Sequence, residues 1–566
     1  MILHQTILFF INTYWAVLVK FFSDYLLEHA LAHASSHLLV KLNKKLDFAP
    51  LEKLAAEYHH QSGPGAPVTH ATSKLIRAML VKYLYDFSLR ETEERLYSDT
   101  IIRWFVGYGL FDSPPDHTTL ERFELWLKDH QRCAIFDETL DQIRQDYPDE
   151  HQVQIGDSYA LCANAARENL TPMILHLCKK LLRSAAETLP EQLAYALRGF
   201  DWLRLFGVKP EPREYKLNKA QRAERLQTVV LAALDLHQRL STLVKDRPNS
   251  DFPALRTQLG CLGKIIADEV LVENGVVQRL PPKQQGSFRI GSATDLEATY
   301  RVHGPDPEDT SFGYNVQVAI SKSSFVSEIR AYTGAVPDQA GVAALVGDQK
   351  ERQGICPEKL IYDQAAGCGK TRAEVEKISD GQTQLSAKLP PYETHTKLFA
   401  PYDFVLSQDG KTLTCPNHKS TQAAFSAGSG DGRNFRFYEY LCWEGPLPKG
   451  KQAPDLTQAK RCPLWEKCRQ ADQGPRTVRQ VFISDYREQV LAAQAYNQSE
   501  EFTRDMKLRP GIERIIFELT HYNGARQARR VGLDNADWQA KMNATAYNLK
   551  HWLRMSDRRN LAVPAR

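Results

Sequence analysis

The chain has few cysteines, almost no net charge and no long uninterrupted apolar segment. Ten cysteines among 566 residues do not indicate a small secreted protein held together by disulfides. Basic and acidic side chains nearly cancel to a formal net charge of +4, so overall charge says little about partners. The apolar N-terminal stretch is uncharged only from Thr6 to Val19, which is shorter than the roughly 20 residues that span a bilayer.

That N-terminal stretch also lacks the basic segment and the small-residue cleavage site of a secretory signal. We interpret it as a helix that packs against the protein or a partner, with a membrane anchor as the alternative. A cytoplasmic protein without membrane contact is expected. The chain shows no internal repeat, and its length suggests roughly three or four domains of about 150 residues each.

Residues 1–150 show helical periodicity and predict an all-α N-terminal domain. Ser88 is followed three residues later by Glu91, the pattern of a capping box at a helix start. Pro114 and Pro115 interrupt the pattern, and a new helix is expected near Thr118. Short helices joined by tight breaks are typical of helix-turn-helix units that bind DNA; an all-helical docking or dimerisation domain is the alternative.

A change from helical to alternating periodicity marks the start of an α/β core. The segment 151–165 is predicted to contain the first core strand, a short one that ends on Asp157. A later strand, "KLIYD", is predicted to end on Asp363. The "GCGKT" that follows is similar to a phosphate-binding loop, but such a loop needs a glycine where Gln364 stands. A nucleotide hydrolase is therefore disfavoured. The expected segments are a helical insertion (166–285), the main core (286–399), a cysteine-rich insert (400–475) and C-terminal core helices (476–566).

Three acidic residues far apart in the sequence are candidates for one site: Asp157, Asp363 and Glu513, the last on a predicted helix over 508–524. Converging carboxylates supply the oxygen ligands that Mg²⁺ or Mn²⁺ prefers. Two such ions roughly 4 Å apart activate a water or a 3′-hydroxyl for attack on a phosphodiester. For a single aspartate at a strand end, a turn or cap role is the simpler interpretation, so the prediction depends on the combination.

Six segments, in their order, resemble the DDE transposases of bacterial insertion sequences: "PDHTTLERF", "IGDSYALCANA", "DPEDTSFGYNVQVAIS", "KLIYDQAAG", "RCPLWEKC" and "LRPGIERIIFEL". The resemblance covers about residues 70–555 and implies an α/β fold. The fold expected is a ribonuclease H-like mixed sheet core interrupted by a helical insertion and a cysteine-rich insert, preceded by an all-α N-terminal domain. The resemblance places the catalytic acids on Asp157, Asp363 and Glu513. It implies Mg²⁺- or Mn²⁺-dependent DNA strand cleavage and strand transfer by a homodimer on the element's terminal repeats and target DNA.

In that family a Tyr-x2-Arg-x3-Glu-x6-Lys pattern often surrounds the third acid. Arg509 lies four residues before Glu513, on the same helix face, where it is able to hold a carboxylate or a phosphate. Met506 stands at the tyrosine position and Thr520 at the lysine position. A catalytically decayed remnant that still binds DNA is therefore the alternative function.

Basic side chains concentrate around and after the third acid. Residues 502–530 contain seven basic and three acidic side chains. The segment "GARQARRVG" predicts a strip that contacts DNA phosphates, while a solvated charged face is the alternative for any one arginine. The candidate DNA-binding residues are Arg509, Arg514, Arg526, Arg529 and Arg530.

Four cysteines fall within 54 positions of the insert: Cys415, Cys442, Cys462 and Cys468. Structural Zn²⁺ takes four thiolate or imidazole ligands, so these four are the predicted zinc ligands, with His418 as a spare. Buried free thiols are the alternative, and an iron–sulfur cluster is a less favoured one.

Overall fold

The structure is a computed structural model, and it describes residues 25, 27–61, 69–109, 112–207, 216–304, 306–390, 398–426, 431–447, 455, 457–469 and 476–562. The apolar stretch from Thr6 to Val19, and the helix expected there, lie outside the described residues. Within the described part of the chain, no helix has the length and apolar character needed to cross a bilayer.

The described N-terminal region is helical, as predicted. Ser88 and Glu91 form the expected capping box, in which each side chain accepts a hydrogen bond from the other residue's backbone N–H. Asp116 caps the helix that was expected near Thr118. The helices are α1 (Leu38–Lys45), α2 (Ala49–Leu54), α3 (Thr72–Leu84), α4 (Leu89–Ser98), α5 (Thr100–Val106), α6 (His117–Gln131) and α7 (Ala134–Asp146).

Strand β1 (Val153–Cys162) starts the α/β core and leads into a helical insertion. The insertion packs around its own apolar core, which includes Leu177, Leu236 and Leu262. It therefore folds as a separate layer. Its elements are α8 (Leu170–Thr188), α9 (Pro190–Ala196), α10 (Trp202–Phe206), α11 (Lys219–Val244), α12 (Pro253–Glu269) and the hairpin β2 (Val270–Glu273) and β3 (Val276–Arg279).

The core sheet is mixed. Its remaining elements are β4 (Thr299–Val302), β5 (Thr310–Ser321), β6 (Val326–Thr333), α13 (Val342–Gln353), β7 (Lys359–Ile361), α14 (Gly369–Ile378) and β8 (Gln384–Ser386). The strands run in the order β4–β5–β1–β7–β8, and β6 also pairs with β5. β1 is antiparallel to β5 and parallel to β7, which is parallel to β8. This confirms the predicted ribonuclease H-like mixed sheet.

One detail of the predicted core is wrong: Asp157 does not end its strand. β1 continues to Cys162, so Asp157 lies in its middle. The strand continues because β5 stays paired with it as far as Cys162, opposite Gly313. Only the parallel pairing with β7 stops earlier, at Ile155 opposite Ile361.

The cysteine-rich insert consists of short strands around a small apolar core containing Phe404, Leu413 and Phe435. Its last strand lies beyond residue 475, because β16 pairs with β13. The elements are β9 (Val405–Leu406), β10 (Leu413–Thr414), β11 (Ser420–Thr421), β12 (Ala424–Ser426), β13 (Gly432–Phe437), α15 (Glu439–Cys442), β14 (Trp443–Glu444), β15 (Lys460–Arg461), α16 (Trp465–Cys468) and β16 (Arg479–Ser484).

Helices cover both faces of the core sheet. The final helices are α17 (Arg487–Asn497), α18 (Glu500–Leu508), α19 (Pro510–Tyr522) and α20 (Leu533–Ala562). Apolar residues of α7, α19 and α20 pack on one face, and those of α13 and α14 pack on the other. The layers of this core are thus helix, sheet and helix.

Helix α20 also closes the open edge of the sheet. The Asn548 side chain exchanges two hydrogen bonds with the backbone of Val326 in β6, at 2.8 Å each. Asp537 accepts a hydrogen bond from the Ala331 N–H, and Lys541 donates one to the Ile329 carbonyl. These side chains satisfy an edge that would otherwise pair with another strand.

Candidate active site

The sheet brings two of the predicted acids to neighbouring strands. In the parallel pair of β1 and β7, Ile155 lies opposite Ile361, and each acid follows two residues later. The side chains of Asp157 and Asp363 therefore lie at the same level along the two neighbouring chain segments and point to the same side of the sheet. One carboxylate oxygen of each acid accepts a hydrogen bond from a backbone N–H one or two residues later in the chain. Oδ1 of Asp157 accepts a hydrogen bond from the Ser158 N–H at 2.8 Å, and Oδ1 of Asp363 accepts one from the Ala365 N–H at 3.0 Å.

Gly156 makes the close approach of these strands possible. The ring of Tyr362 is fully buried against it, and a Cβ atom at position 156 would lie only 2.5 Å from that ring. Gly156 and Tyr362, the residues immediately before the two acids, thus pack against each other. A larger side chain at position 156 would push the two acid-bearing backbones apart.

All three predicted acids contact one guanidinium, that of Arg509. Its Nη2 lies 3.3 Å from Oδ2 of Asp157 and 3.9 Å from Oδ2 of Asp363, and its Nη1 lies 3.2 Å from Oε1 of Glu513. The contact with Glu513 is the expected one between residues four apart at a helix start. Side chains that are remote in sequence therefore meet around a single positive charge.

A buried network holds Arg509 in place. The residue lies between α18 and α19, where Pro510 starts the second helix. Asp505 anchors α18 to the sheet by accepting hydrogen bonds from Tyr496 at 2.5 Å, Ser386 at 2.7 Å and Lys359 at 3.2 Å. Arg509, four residues after Asp505, is thus tied to β8 and to β7, the strand that leads to Asp363.

The electrostatics of the site favour a bound cation. Burial raises the pKa of Asp157 above its ordinary value, and the negative charges of Asp363 and Asp338 raise it further. The Ser158 N–H and the Arg509 guanidinium lower it, without cancelling the rise. An additional positive charge between the carboxylates would favour their ionised forms.

Sequence reasoning missed Asp338, which lies near this site. Its carboxylate accepts a hydrogen bond from Asn315 at 2.7 Å and lies 3.5 Å from the Arg301 guanidinium. Arg301 also donates to the Ser158 hydroxyl at 2.9 Å. Asp338 sits in the loop after β6, and its neighbours in sequence carry no motif that would have revealed the contact.

The carboxylates fit a divalent cation in chemistry but do not form a ready-made site. Oxygen donors suit Mg²⁺ or Mn²⁺. In the part of the chain that the structure describes, however, no three His, Cys, Asp or Glu side chains are placed to hold one metal ion. The space between the three acids is shared by Arg509. Binding of a cation by all three acids would therefore require the Arg509 side chain to move.

The two departures from the family pattern have structural roles. Met506 packs against the apolar core that lies under the sheet. The hydroxyl of Thr520 donates to the Ile516 carbonyl of its own helix at 2.8 Å. Neither residue supplies a charge to the acids.

The predicted DNA-binding arginines fall into two groups beyond Arg509. Arg529 pairs with Asp86 and donates to the Phe87 carbonyl at 2.8 Å. Arg530 lies 2.8 Å from Glu121. Both thus connect the C-terminal segment to the N-terminal helices. Arg514 and Arg526, in contrast, are exposed.

The four predicted zinc ligands lie in the insert as free, partly buried thiols. The Cys462 N–H donates to the Cys442 carbonyl at 2.8 Å, and Cys415 and Cys468 line the same small apolar core. Burial raises the pKa of the Cys462 and Cys468 thiols, and the charges of Cys415 and Cys442 add to the rise. The four thiols are thus close enough for their charges to interact, although they do not form a complete metal site among the described residues.

Two family models match the chain. A transposase domain (DUF772) matches residues 28–124, and a transposase DDE domain matches residues 450–553. Both matches support an insertion-sequence DDE transposase. No curated protein and no solved structure matches it.

The two matches cover different parts of the transposase. The first lies on the N-terminal helices, and the second contains Arg509 and Glu513. Asp157 and Asp363 lie outside both matched ranges, so their link to Glu513 depends on the geometry around Arg509. The two matches confirm the resemblance to DDE transposases that the sequence shows.

Proposed function

We propose that this transposase cleaves DNA at the ends of an insertion sequence and joins the freed 3′ ends to target DNA. The observation that carries the proposal is the convergence of Asp157, Asp363 and Glu513 on one guanidinium. Three acids with a shared counter-ion, next to a surface of exposed arginines, suit a phosphodiester substrate. The DNA contacts, the homodimer and a cytoplasmic location are parts of this proposal.

In the proposed mechanism, Asp157, Asp363 and Glu513 would hold Mg²⁺ or Mn²⁺. The chemistry that such an ion would supply there is polarisation of the scissile phosphate and activation of a water or 3′-hydroxyl. Asp157 and Asp363 are fixed by their backbone hydrogen bonds, so each presents its other carboxylate oxygen with little rearrangement. Glu513 is more exposed and approaches from its helix.

Arg509 has two tasks in this mechanism. Without metal it neutralises the acids, and with metal and DNA its guanidinium turns to a phosphate oxygen, for which it has the matching geometry. Arg514 and Arg526 contact the DNA backbone directly. Arg529 and Arg530 contact DNA only if their acidic partners on the N-terminal helices release them, and otherwise hold those helices against the core.

Metal-dependent nicking of supercoiled DNA tests the proposal. The wild-type chain is expected to nick in Mg²⁺ or Mn²⁺, and Asp157→Asn is expected to lose at least about 100-fold of that activity, because a ligand charge is removed. The matched control is Asp246→Asn, an exposed aspartate of the helical insertion. Equal activity of wild type and Asp157→Asn would overturn the assignment.

A DNA-binding remnant without turnover is the second candidate. Met506 and Thr520 favour this alternative. Met506 packs on the apolar core and Thr520 bonds to its own helix, so the acids lack the tyrosine and lysine of the family pattern. DNA binding by the wild type without cleavage in either metal would support the remnant.

We further propose that Cys415, Cys442, Cys462 and Cys468 bind a structural Zn²⁺, because clustered thiolates are its preferred ligands. Elemental analysis of the purified chain is expected to find about one zinc per chain. Cys442→Ser is expected to lose it, and His418→Ala to retain it.

A further inference from the structure

The surface of α19 beyond Glu513 carries three exposed aromatic rings. Phe517 is 48% exposed and Tyr522 is 68% exposed, and His521 is exposed as well. The rings of Phe517 and His521 stack with centroids 3.9 Å apart and planes at 19°. The Tyr522 ring meets that of Phe517 edge-on at 6.0 Å.

These rings are not needed to hold the helix in place. The opposite face of α19 supplies Ile512, Ile515 and Leu519 to the core under the sheet, where all three are buried. An exposed phenylalanine with a stacked neighbour gains little for folding. The arrangement is better explained by a flat ligand that covers the rings.

The rings are aligned with the candidate active site. Phe517 and His521 follow Glu513 by four and eight residues, so they lie on nearly the same helix face, about 6 and 12 Å further along the axis. The row leads into a cleft of about 790 Å³ whose lining includes His521, Asn164 and Arg526. Arg514 follows Glu513 directly on the same helix, Arg526 lines the cleft, and both are exposed.

The occupant that this chemistry fits is a nucleobase with its phosphate. Aromatic faces bind unpaired bases by stacking without sequence preference, and neighbouring cations bind the phosphates. A second copy of the chain would place its own surface over the rings, but the flanking arginines and the carboxylates at one end match a nucleotide chain better.

We propose that Phe517 and His521 form a stacking platform for one unpaired base of the DNA strand whose phosphate lies at the carboxylates. The inference rests on the proposed function, because it takes DNA as the substrate. It adds a binding site that explains how a strand end is held after it has been separated from its complement.

The test uses a short DNA duplex with a single-stranded extension in which 2-aminopurine replaces one base at successive positions. The DNA is titrated with the full chain in the presence of EDTA, which prevents metal-dependent cleavage. We expect quenching of 2-aminopurine at one position, loss of that quenching and about tenfold weaker binding with Phe517→Ala, and recovery with Phe517→Tyr. The control is Phe425→Ala, a 37% exposed phenylalanine in the cysteine-rich insert, which is expected to bind like the wild type.

Unchanged quenching with Phe517→Ala would overturn the platform. So would a change from dimer to monomer in that variant with quenching intact, since the rings would then contact a second copy of the chain. Failure of the nicking assay is distinguishable: quenching that depends on Phe517, without metal-dependent cleavage in the wild type, would sustain the base site and reject the catalytic proposal.

Discussion

Single residues set the charge balance of the candidate site. Arg509 places a guanidinium among three acids of the metal-free chain. A metal ion competes with that cation for the same oxygens. Two predictions about charge and one about packing follow from the contacts of individual side chains.

The first concerns Arg509→Gln. Removing the guanidinium leaves the carboxylates without their counter-ion, and we expect the metal-free chain to lose about 2 kcal/mol of unfolding free energy. Mn²⁺ should then raise the melting temperature more than it does in the wild type, because no internal cation competes. The control is Arg504→Gln, an exposed arginine of α18 that pairs only weakly with Glu500. A smaller Mn²⁺ effect in Arg509→Gln would contradict the competition.

The second concerns pH. The folded-state pKa of Asp157 is raised, so the folded chain binds this proton more tightly than the unfolded chain does. The ionisation of Asp157 therefore lowers the free energy of unfolding. The full loss is present at pH values above the raised pKa, and there is no loss at pH values below the ordinary aspartate pKa. We expect metal-free Asp157→Asn to melt higher than the wild type at neutral pH, with a difference that shrinks as the pH falls through the raised value. Thermal melts in EDTA at several pH values measure this, and a difference that grows on acidification would refute it.

The third concerns Gly156→Ala. The added methyl group would lie 2.5 Å from the buried Tyr362 ring, and we expect a loss of about 1–3 kcal/mol in urea unfolding. Gly511→Ala is the control, because a Cβ there meets nothing within 4 Å and alanine favours the helix. Adding Tyr362→Leu to Gly156→Ala should restore part of the loss; no restoration would mean that the clash lies elsewhere.

At the scale of elements, ion pairs join the N-terminal helices to one another and to the C-terminal segment. Lys82 of α3 and Glu124 of α6 are both buried and lie 2.5 Å apart. Arg530 approaches Glu124 to 3.5 Å. Burial lowers the pKa of Lys82 to about 8 despite the nearby acid.

The prediction at this scale is the effect of Lys82→Met. The change leaves Glu124 buried without its closest partner, and we expect a loss of about 3–5 kcal/mol in unfolding free energy. The double variant Lys82→Met/Glu124→Leu removes both charges and should regain most of that loss. If the double variant is as unstable as the single one, the cost comes from packing and not from charge.

At the scale of the whole molecule, α20 connects two cores. Its Trp538, Leu549 and Trp552 belong to the core of the N-terminal helices, while Ala540 and Tyr547 belong to the core under the sheet. The same helix covers the edge of β6. The N-terminal helices and the catalytic core should therefore unfold together.

Leu549→Ala tests this coupling. Leu549 is fully buried, so its truncation should cost about 2–5 kcal/mol. Hydrogen exchange is expected to show weaker protection in both α3 and β1, although only the first lies in the core that contains Leu549. The control is Leu491→Ala, whose side chain is 40% exposed. Loss of protection confined to the N-terminal helices would show two independent units.

Features that depend on a few neighbouring residues were predictable. The capping box of Ser88 and Glu91, the strand before Asp363 and the helix that starts at Pro510 all follow from local hydrogen bonding and periodicity. The short apolar run in "KLIYD" indicated a buried strand that leads to an acid. The order of the segments also indicated the transposase family.

By itself, the sequence determined the kinds of elements, their order and the residues able to carry the chemistry. Only the tertiary structure decided that β1 runs past Asp157, that Arg509 meets all three acids, that Asp338 lies beside them and that Arg529 and Arg530 face acids of the N-terminal helices. The physical reason is range. Caps and periodicity act over one or two turns of chain, whereas these contacts, apart from that of Arg509 with Glu513, join residues more than a hundred positions apart through strand register and helix packing.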